Sequence, residues 1–463
     1  MLTQEKAGDI FDRVKKLSTA DEVEVFLSGG KFSLTRFANN TIHQNVAEEN
    51  HTLSVRTAFG GRTARASTNK FDDESLRKVV ESSENLAKVQ HSDPDLLPMP
   101  DPREADANAS ASATPSRHFA ATAAITPELR AQGVKSIVGV ADQHKLTTAG
   151  TYSSNEWVEG IFNSRGLNKW HEQTAAEISI TIIAADSSGW QKANSPDAAN
   201  LNPLELAEIA AKKALDSTHP KEVPAGKYTV ILEPSAVLDI VGFMFWDYSG
   251  TAILDQRSFL TGRIGEKIFG ENITIWDDVN HRLQTGSPFD GEGMARLKMP
   301  LVENGVVNRV AYSRATAARM KHSEYKDRVG PIEATGHGFL LPNEIGEMPG
   351  NIVFASSQNP QTLEQMIAST ERGVLVTRLW YIREVEPYEK ILTGMTRDGT
   401  FYVENGRVKH GIRNFRFNES LIHMLSNVTA MGLPVRACGE ESMDMVVPAM
   451  KISDFNFTEV TRF

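Results

Sequence analysis

The stretch KYTVILEPSAVLDIVGFMFWD, residues 227–247, joins a predicted strand to a predicted helix and places a single acid among apolar residues. KYTVILEP has the β-branched and aromatic residues typical of a buried strand, and a helix capped by Ser235 is predicted to follow it. Asp239 is the only carboxylate in the apolar run from Ala236 to Phe245. A charged side chain at such a position needs either a partner within the fold or a chemical role.

The segment that surrounds this stretch, residues 223–463, is predicted to form a mainly β domain. Short strands alternate there with the turns DGEG, ENGVV, RDGT and ENGRV, in which glycine allows positive φ. GTFYVENGRVKHGIRNFRF predicts a β-meander. NESLIHMLSNVTAMG predicts a helix that is capped by Asn418 and ends at Gly432.

Two further segments precede this domain. Residues 117–222 are predicted to form a middle, strand-rich domain that packs with the N-terminal one. Its strands are predicted at KSIVGVADQ, KLTTAGTYS, EWVEGIFNS and AAEISITIIAAD, and the Asn and Pro of NPLELAEIAAKKALDS mark the start of a helix. Residues 97–116 contain four prolines and runs of Ala, Ser and Asp that offer little to bury, which indicates a linker.

Residues 1–96 predict an N-terminal α+β domain. Apolar residues at helical spacing from Ile10 to Leu17 predict a first helix, and NKFDDESLRKVVESSENLAKVQ predicts a second. Alternating strands are predicted between them at EVEVFLS, KFSLTRFA, TIHQNV and TLSVRTAFGGRTARAS, the last folded into a hairpin at Gly60. The predicted class is therefore α+β, with an N-terminal antiparallel sheet and helices followed by a mainly β C-terminal domain.

Composition excludes several classes of function. The chain has 463 residues and a net charge of −10, which would repel a phosphate backbone, so we expect no nucleic-acid partner. Cys438 is the single cysteine, so no internal disulfide is expected. The charged N-terminal sequence lacks the apolar core of a signal peptide, and no apolar run approaches the roughly 20 residues of a membrane helix. We expect a soluble, cytoplasmic protein with no membrane partner.

Residue patterns that could carry chemistry are sparse. There is no G-x-S-x-G elbow, Walker loop, dinucleotide-binding glycine motif or CxxC pair. HEQTAAE at His171 begins like a zinc-protease helix, but it lacks the second histidine and alternates like a strand. His322, Glu324 and His337 fall on separate glycine-rich loops, where solvent-facing histidines are the expected alternative to a metal site. SLRK at Ser75 has serine-acylase spacing, but it lies in the first turn of a predicted surface helix.

The order of several segments nevertheless points to one family. These segments are EVEVFLSGGKFSLTRFANNTIHQNVAEENHTLSVRTAFGGRTARASTN, EPSAVLDIVGF, SFLTGRIGEKIFGENITIWDDV, FDGEGM and ACGEESMDMVVPAMKI. With them the chain resembles the TldD/TldE (PmbA) family, described as metalloproteases or as a modulator of DNA gyrase. The resemblance implies a helix carrying H-E-x-x-x-H after the strand KYTVILEP, and a C-terminal cysteine associated with the metal site of the zinc-containing catalytic relatives.

LDIVGF departs from that motif at both histidines. Leu238 and Phe243 stand at the two histidine positions and Asp239 stands at the glutamate, so Leu238, Phe243 and Cys438 mark a degenerate metal site. Because zinc needs three protein ligands with lone pairs, no zinc site and no other cofactor is expected in this chain. The resemblance then implies a TldE-like subunit that binds peptide substrates and pairs with a TldD-like catalytic subunit, or with itself as a homodimer. The alternative is an active peptidase with an unorthodox metal site.

The sequence leaves two interpretations open for each of Asp239, Cys438 and the segment FWDYSG. Asp239 is either a helix-start acid that interacts with the helix dipole or a residual cleft acid that accepts a hydrogen bond from a peptide. Cys438 is either a small buried hydrophobic residue beside a turn or a surviving ligand. The residues of FWDYSG, from Trp246 to Gly250, are either core or the lining of a peptide groove.

Overall fold

The computed structural model describes residues 2–109 and 114–461, so residues 110–113 of the predicted linker lie outside the described part. The helices before residue 222 are α1 Gln4–Leu17, α2 Asp73–Val89, α3 Pro102–Ala105, α4 Ala120–Ala123, α5 Pro127–Gln143 and α6 Pro203–Asp216. The strands of the same region are β1 Glu22–Ala38, β2 Thr41–Phe59, β3 Arg62–Thr68, β4 Thr147–Asn163, β5 Asn168–Ile183 and β6 Ser188–Ser195.

These strands form one antiparallel sheet in the order β3-β2-β1-β4-β5-β6. The sheet therefore contains strands from both the predicted N-terminal and the predicted middle segment. Period-2 alternation buries one face of each strand under the helices. Val25 and Val55 pack with α1 and α2, while Ile178 and Ile180 pack with the alanines of α6.

Two details of this region differ from the sequence prediction. KSIVGVADQ belongs to helix α5 and is not a strand, because Thr126 caps a helix that starts at Pro127 and Val134, Ile137 and Ala141 are buried at helical spacing. Three predicted pairs of strands are each a single strand: EVEVFLS and KFSLTRFA form β1, TIHQNV and TLSVRTAF form β2, and KLTTAGTYS and EWVEGIFNS form β4. The glycines between the first two segments lie inside β1. A Cβ on Gly30 would lie 2.0 Å from a carbonyl oxygen of β4, so glycine permits close strand pairing there.

The predicted linker is packed against the C-terminal half in its described part. Met99 and Ala105 are fully buried, and the Ala105 carbonyl accepts a hydrogen bond from the Ala295 N–H. Glu104 pairs with Arg314 at 2.7 Å. The expectation that residues 97–116 bury little is thus wrong for the described part of this segment.

The C-terminal half is mainly β, as predicted. Its helices are α7 Pro234–Val241, α8 Gly250–Leu254, α9 Arg314–Met320, α10 Leu363–Ala368 and α11 Leu421–Ser426. Its strands are β7 Gly226–Leu232, β8 Ile275–Asp277, β9 Met299–Glu303, β10 Val306–Val307, β11 Ile352–Phe354, β12 Arg372–Glu386, β13 Ile391–Glu404, β14 Arg407–Gly411, β15 Phe415–Ser420, β16 Val428–Met431, β17 Val435–Ala437, β18 Met445–Val447 and β19 Met450–Val460. Within residues 2–109 and 114–461, no helix is both long and apolar enough to cross a membrane.

Two sheets organise these strands. One runs β12-β7-β19-β15-β13 and closes on itself because β13 also pairs with β12; aromatic rings such as Phe415, Phe455 and Phe457 fill its core. The other runs β10-β9-β8-β11-β18-β17. Helix α7 follows β7 directly and packs against β12, β17 and β18. Helix α7, which carries Asp239, therefore lies where the two sheets meet.

Two C-terminal predictions need correction. β14 and β15 both pair with β13 on the edge opposite β12, at different ends of that strand, so the three strands are antiparallel but do not form a meander. The predicted helix from Asn418 to Gly432 is only the short α11, which is capped by Ser420. The β-branched residues that follow it pair with β19 as strand β16.

Candidate functional site

Helix α7 places Asp239 in its second turn, inside the protein. The N-cap position of α7 is Glu233, which makes no side-chain capping hydrogen bond, so the predicted Ser235 cap is wrong. The Asp239 carboxylate is fully buried and accepts hydrogen bonds from three backbone N–H groups. Leu379 donates to Oδ2 at 3.2 Å, and Glu440 and Glu441 donate to Oδ1 at 3.3 and 3.4 Å. Asp239 is therefore neither a helix-start acid nor an acid open to a peptide.

Burial dominates the titration of this carboxyl group. Loss of solvation raises the pKa of Asp239 to about 7, although the three N–H donors and the more distant Arg378 act in the opposite direction. The group therefore changes protonation near neutral pH. Because the side chain is fully buried, this titration bears on stability and not on proton exchange with a substrate.

The loop after β17 closes over Leu238 and Asp239. A Cβ on Gly439 would lie 2.3 Å from Asp239 Oδ1 and 2.4 Å from Leu238 Cδ2, so only glycine fits between the loop and α7. Cys438, the preceding residue, is 1% exposed. Burial raises the pKa of its thiol, which disfavours the thiolate. The structure thus places the loop that begins at Cys438 against Leu238 and Asp239.

Glu441 and Lys192 hold this loop in place. The Glu441 carboxylate accepts hydrogen bonds from the backbone N–H groups of Tyr381 at 2.8 Å and Ile382 at 3.2 Å, both on β12. Lys192 on β6 donates to the Gly439 carbonyl at 3.2 Å. Sequence reasoning missed Glu441 and Lys192, because their partners lie on strands remote in sequence and no local motif indicates them.

An open cleft of about 220 Å³ lies beside the closed acid. Its lining consists of Gly242, Phe243, Trp246, Met348, Glu441, Ser442 and Met443. Trp246 is 53% exposed and its ring stacks on Phe339 with centroids 6.3 Å apart. The cleft has apolar walls and one carboxylate, which suits an uncharged or apolar side chain better than an anion.

The rest of FWDYSG belongs to the core. Asp247 is buried, forms an ion pair with Lys390 and accepts a hydrogen bond from the Phe259 N–H at 3.1 Å. Tyr248 is fully buried and Gly250 packs against the ring of Tyr312. Of the aromatic residues in this stretch, Trp246 is the one that reaches the open cleft.

The other residues considered for catalysis or metal binding lie outside this cleft. His171 sits on strand β5, as its alternation predicted, and contacts Gln173. His322 is exposed, as expected for a loop histidine, whereas His337 is buried 3.1 Å from Asp277 Oδ1, so the expectation of solvent exposure is wrong for His337. Ser75 lies in the first turn of α2 and contacts the capping residue Asp72.

The residues present do not fit a zinc ion at the degenerate motif. Leu238 and Phe243 carry no lone pair, the Asp239 oxygens are already engaged by N–H donors, and the Cys438 thiol is held protonated. Among residues 2–109 and 114–461, no group of three His, Cys, Asp or Glu side chains is arranged to hold a metal.

Comparison with known proteins matches all three parts of the chain to one set of family models. Residues 225–459 match the PmbA/TldA metallopeptidase C-terminal domain, residues 23–87 match domain 1, and residues 112–218 match the central domain. The solved structure of TldE from Thermococcus kodakarensis superposes with a TM-score of 0.83 at 19% identity, covering 98% of this chain and all of that one. A Thermotoga maritima structure described as a modulator of a DNA gyrase gives the same values.

Curated relatives have slightly higher sequence identity but match over shorter parts of the chain. A metalloprotease PmbA homolog of Haemophilus influenzae is 21% identical over 82% of this chain and 80% of its own length. An uncharacterized protein of Methanocaldococcus jannaschii is 30% identical over 38% of this chain. Three archaeal relatives are matched over 42%, 66% and 53% of their own lengths. At these identities the structural matches establish the fold alone.

Proposed function

This chain belongs to the PmbA/TldD family of metallopeptidases, and we propose that it is a TldE-like subunit that binds peptides without a zinc site of its own. The proposal rests on the residues that occupy the positions of the zinc-binding motif. Leu238 and Phe243 occupy the histidine positions, and Asp239 is sealed by Gly439 and three backbone N–H groups. An acid in this state cannot polarise a water molecule for attack on a peptide bond.

The cleft beside the motif is the proposed peptide-binding surface. Trp246 and Phe243 offer apolar walls, Met348 and Met443 offer flexible side chains that adapt to varied ligands, and Glu441 lies at the edge. Such a cleft takes one or two side chains of an extended peptide. The catalytic step would then fall to a TldD-like partner, or the subunit would act with a second copy of itself.

Metal content tests the first half of the proposal. The purified chain is expected to hold much less than one zinc per chain after dialysis, measured by elemental analysis, and Cys438→Ala is expected to leave that content unchanged. One tightly held zinc per chain that is lost in Cys438→Ala would refute the proposal and support a peptidase with an unorthodox site.

Peptide affinity tests the second half. Trp246→Ala is expected to weaken binding of an unfolded, fluorescently labelled peptide by about ten-fold, since an aromatic anchor in a cleft contributes roughly 1–2 kcal/mol. Tyr388→Ala is the matched control, because Tyr388 has the same 53% exposure and lies outside the cleft. Equal affinities for the parent and Trp246→Ala would exclude the cleft as the binding surface.

A further inference from the structure

A second cavity, of about 460 Å³, lies between the N-terminal sheet and the closed C-terminal sheet. Its walls are the turn between β5 and β6, Ser217 just after helix α6, the bend of β13 at residues 397–400, and residues 412–414 between β14 and β15. Gly411 packs directly on the Ser217 backbone, which fixes the distance between the two walls. This cavity is separate in its lining residues from the cleft at Trp246.

Hydrogen-bond donors in this cavity lack acceptors. Ser217 is 7% exposed and its hydroxyl has no partner. The Asn414 side-chain oxygen accepts from Thr396 and Thr400, which directs its amide nitrogen away from them and leaves it without an acceptor in the described part of the chain. The Arg413 guanidinium lines the cavity and has no ion pair or hydrogen bond to a described residue. A buried donor without an acceptor is costly, so the Ser217 hydroxyl favours an acceptor ligand in the cavity, and the exposed Arg413 side chain is free to pair with it.

The acids in the cavity do not supply that acceptor. Asp398 is already paired, with Arg378 Nε at 2.9 Å from Oδ2 and the Ser188 hydroxyl at 2.5 Å from Oδ1. Asp186, at the rim, accepts from the His219 N–H at 3.1 Å. Arg397 lies 3.5 Å from the same Asp398 oxygen and is 47% exposed, so a part of its charge faces the cavity.

The end of helix α6 does not supply the acceptor either. Carbonyl oxygens in its last turn would repel an anion, and hydrogen bonds to two of them weaken that repulsion. The Ala214 carbonyl accepts from the Ser187 hydroxyl at 2.7 Å, and the Leu215 carbonyl accepts from the Thr218 hydroxyl at the same distance. The cavity therefore presents the unpaired Ser217 hydroxyl and the arginine side chains at 397 and 413, while Asp398, Asp186 and two carbonyls of the last turn of α6 already accept hydrogen bonds or ion pairs.

We propose that this cavity binds a small oxyanion, a carboxylate or a phosphate group, with Arg413 as the main cationic contact and the Ser217 hydroxyl and Asn414 amide as neutral donors. Oxyanions accept several hydrogen bonds at once, and a guanidinium pairs with them in bidentate geometry. A carboxylate at the end of a peptide and inorganic phosphate share this chemistry.

Calorimetric titration at low ionic strength tests the site with three probes: inorganic phosphate, an acetylated dialanine with a free carboxylate, and the same peptide with an amidated end. At least one of the first two is expected to bind, and the amidated peptide is not. Arg413→Gln is expected to weaken binding by about ten-fold or more, as the loss of a hydrogen bond to a charged group does. Ser217→Ala is expected to weaken it as well.

The variants distinguish a specific anion site from general electrostatic attraction between anions and the protein. Ser217→Ala removes an unpartnered hydroxyl and Arg413 is exposed, so both variants are expected to fold like the parent protein. Arg407→Gln, an exposed arginine on β14 outside the cavity, is expected to bind as the parent does. The proposal is overturned if neither anion binds at millimolar concentration, if the amidated peptide binds equally well, or if Arg413→Gln and Arg407→Gln have the same effect.

Discussion

Replacing Asp239 by Asn tests the buried state of this carboxyl group through the pH dependence of stability. The carboxyl group has a pKa of about 3.9 in an unfolded chain. In the folded protein burial raises its pKa to about 7. Between these two values the folded state holds a proton that the unfolded state has released, so the parent protein loses stability as the pH rises through this window.

The size of the effect follows from the two pKa values. Each pKa unit corresponds to about 1.4 kcal/mol. A pKa raised by roughly three units therefore lowers the parent's free energy of unfolding by about 4 kcal/mol, relative to its value at low pH, once the pH exceeds 7. Asn does not titrate. At pH 5 the variant is expected to be the less stable protein, because its amide group places an N–H donor against the N–H donors of Leu379, Glu440 and Glu441. The deficit is expected to shrink steadily as the pH rises to 8.

Urea unfolding at pH 5, 6, 7 and 8 measures this difference for the parent, Asp239→Asn and a control. Asp454→Asn is a suitable control because Asp454 is exposed and its φ of 58° is one that Asn also adopts. The control is expected to keep a constant difference from the parent. If the difference between Asp239→Asn and the parent is constant from pH 5 to 8, or grows with pH, the carboxylate is ionised throughout and the three N–H donors outweigh burial.

Two further substitutions probe the packing around the site. Gly439→Ala is expected to destabilise the protein by about 1–3 kcal/mol in urea unfolding, because the added Cβ meets Asp239 and Leu238; a change below 0.5 kcal/mol would show that the loop moves freely. Lys390→Met is expected to cost about 3–5 kcal/mol at pH 7, because it leaves Asp247 buried without its cation; a loss confined to low pH would contradict this, since Asp247 is then neutral.

Local sequence signals predicted the elements whose caps and periodicity agree. Helices α1, α2 and α6 and the antiparallel strands follow directly from such patterns. Ile137, Val138 and Val140 are β-branched and predict a strand, but the cap at Thr126, eleven residues before Ile137, starts helix α5 and outweighs them. Strand β16 shows the reverse, since pairing with β19 overrides the helix predicted to continue beyond α11 to Gly432.

The environment of Asp239 could not be predicted from its neighbours in sequence. Its N–H donors lie 140, 201 and 202 residues away along the chain, and the glycine that admits the loop lies at position 439. A helix-start acid near the positive end of the dipole would have a lowered pKa and would stabilise the protein as the pH rises. The buried acid has a raised pKa and acts with the opposite sign, so the pH series distinguishes the local interpretation of this residue from the tertiary one.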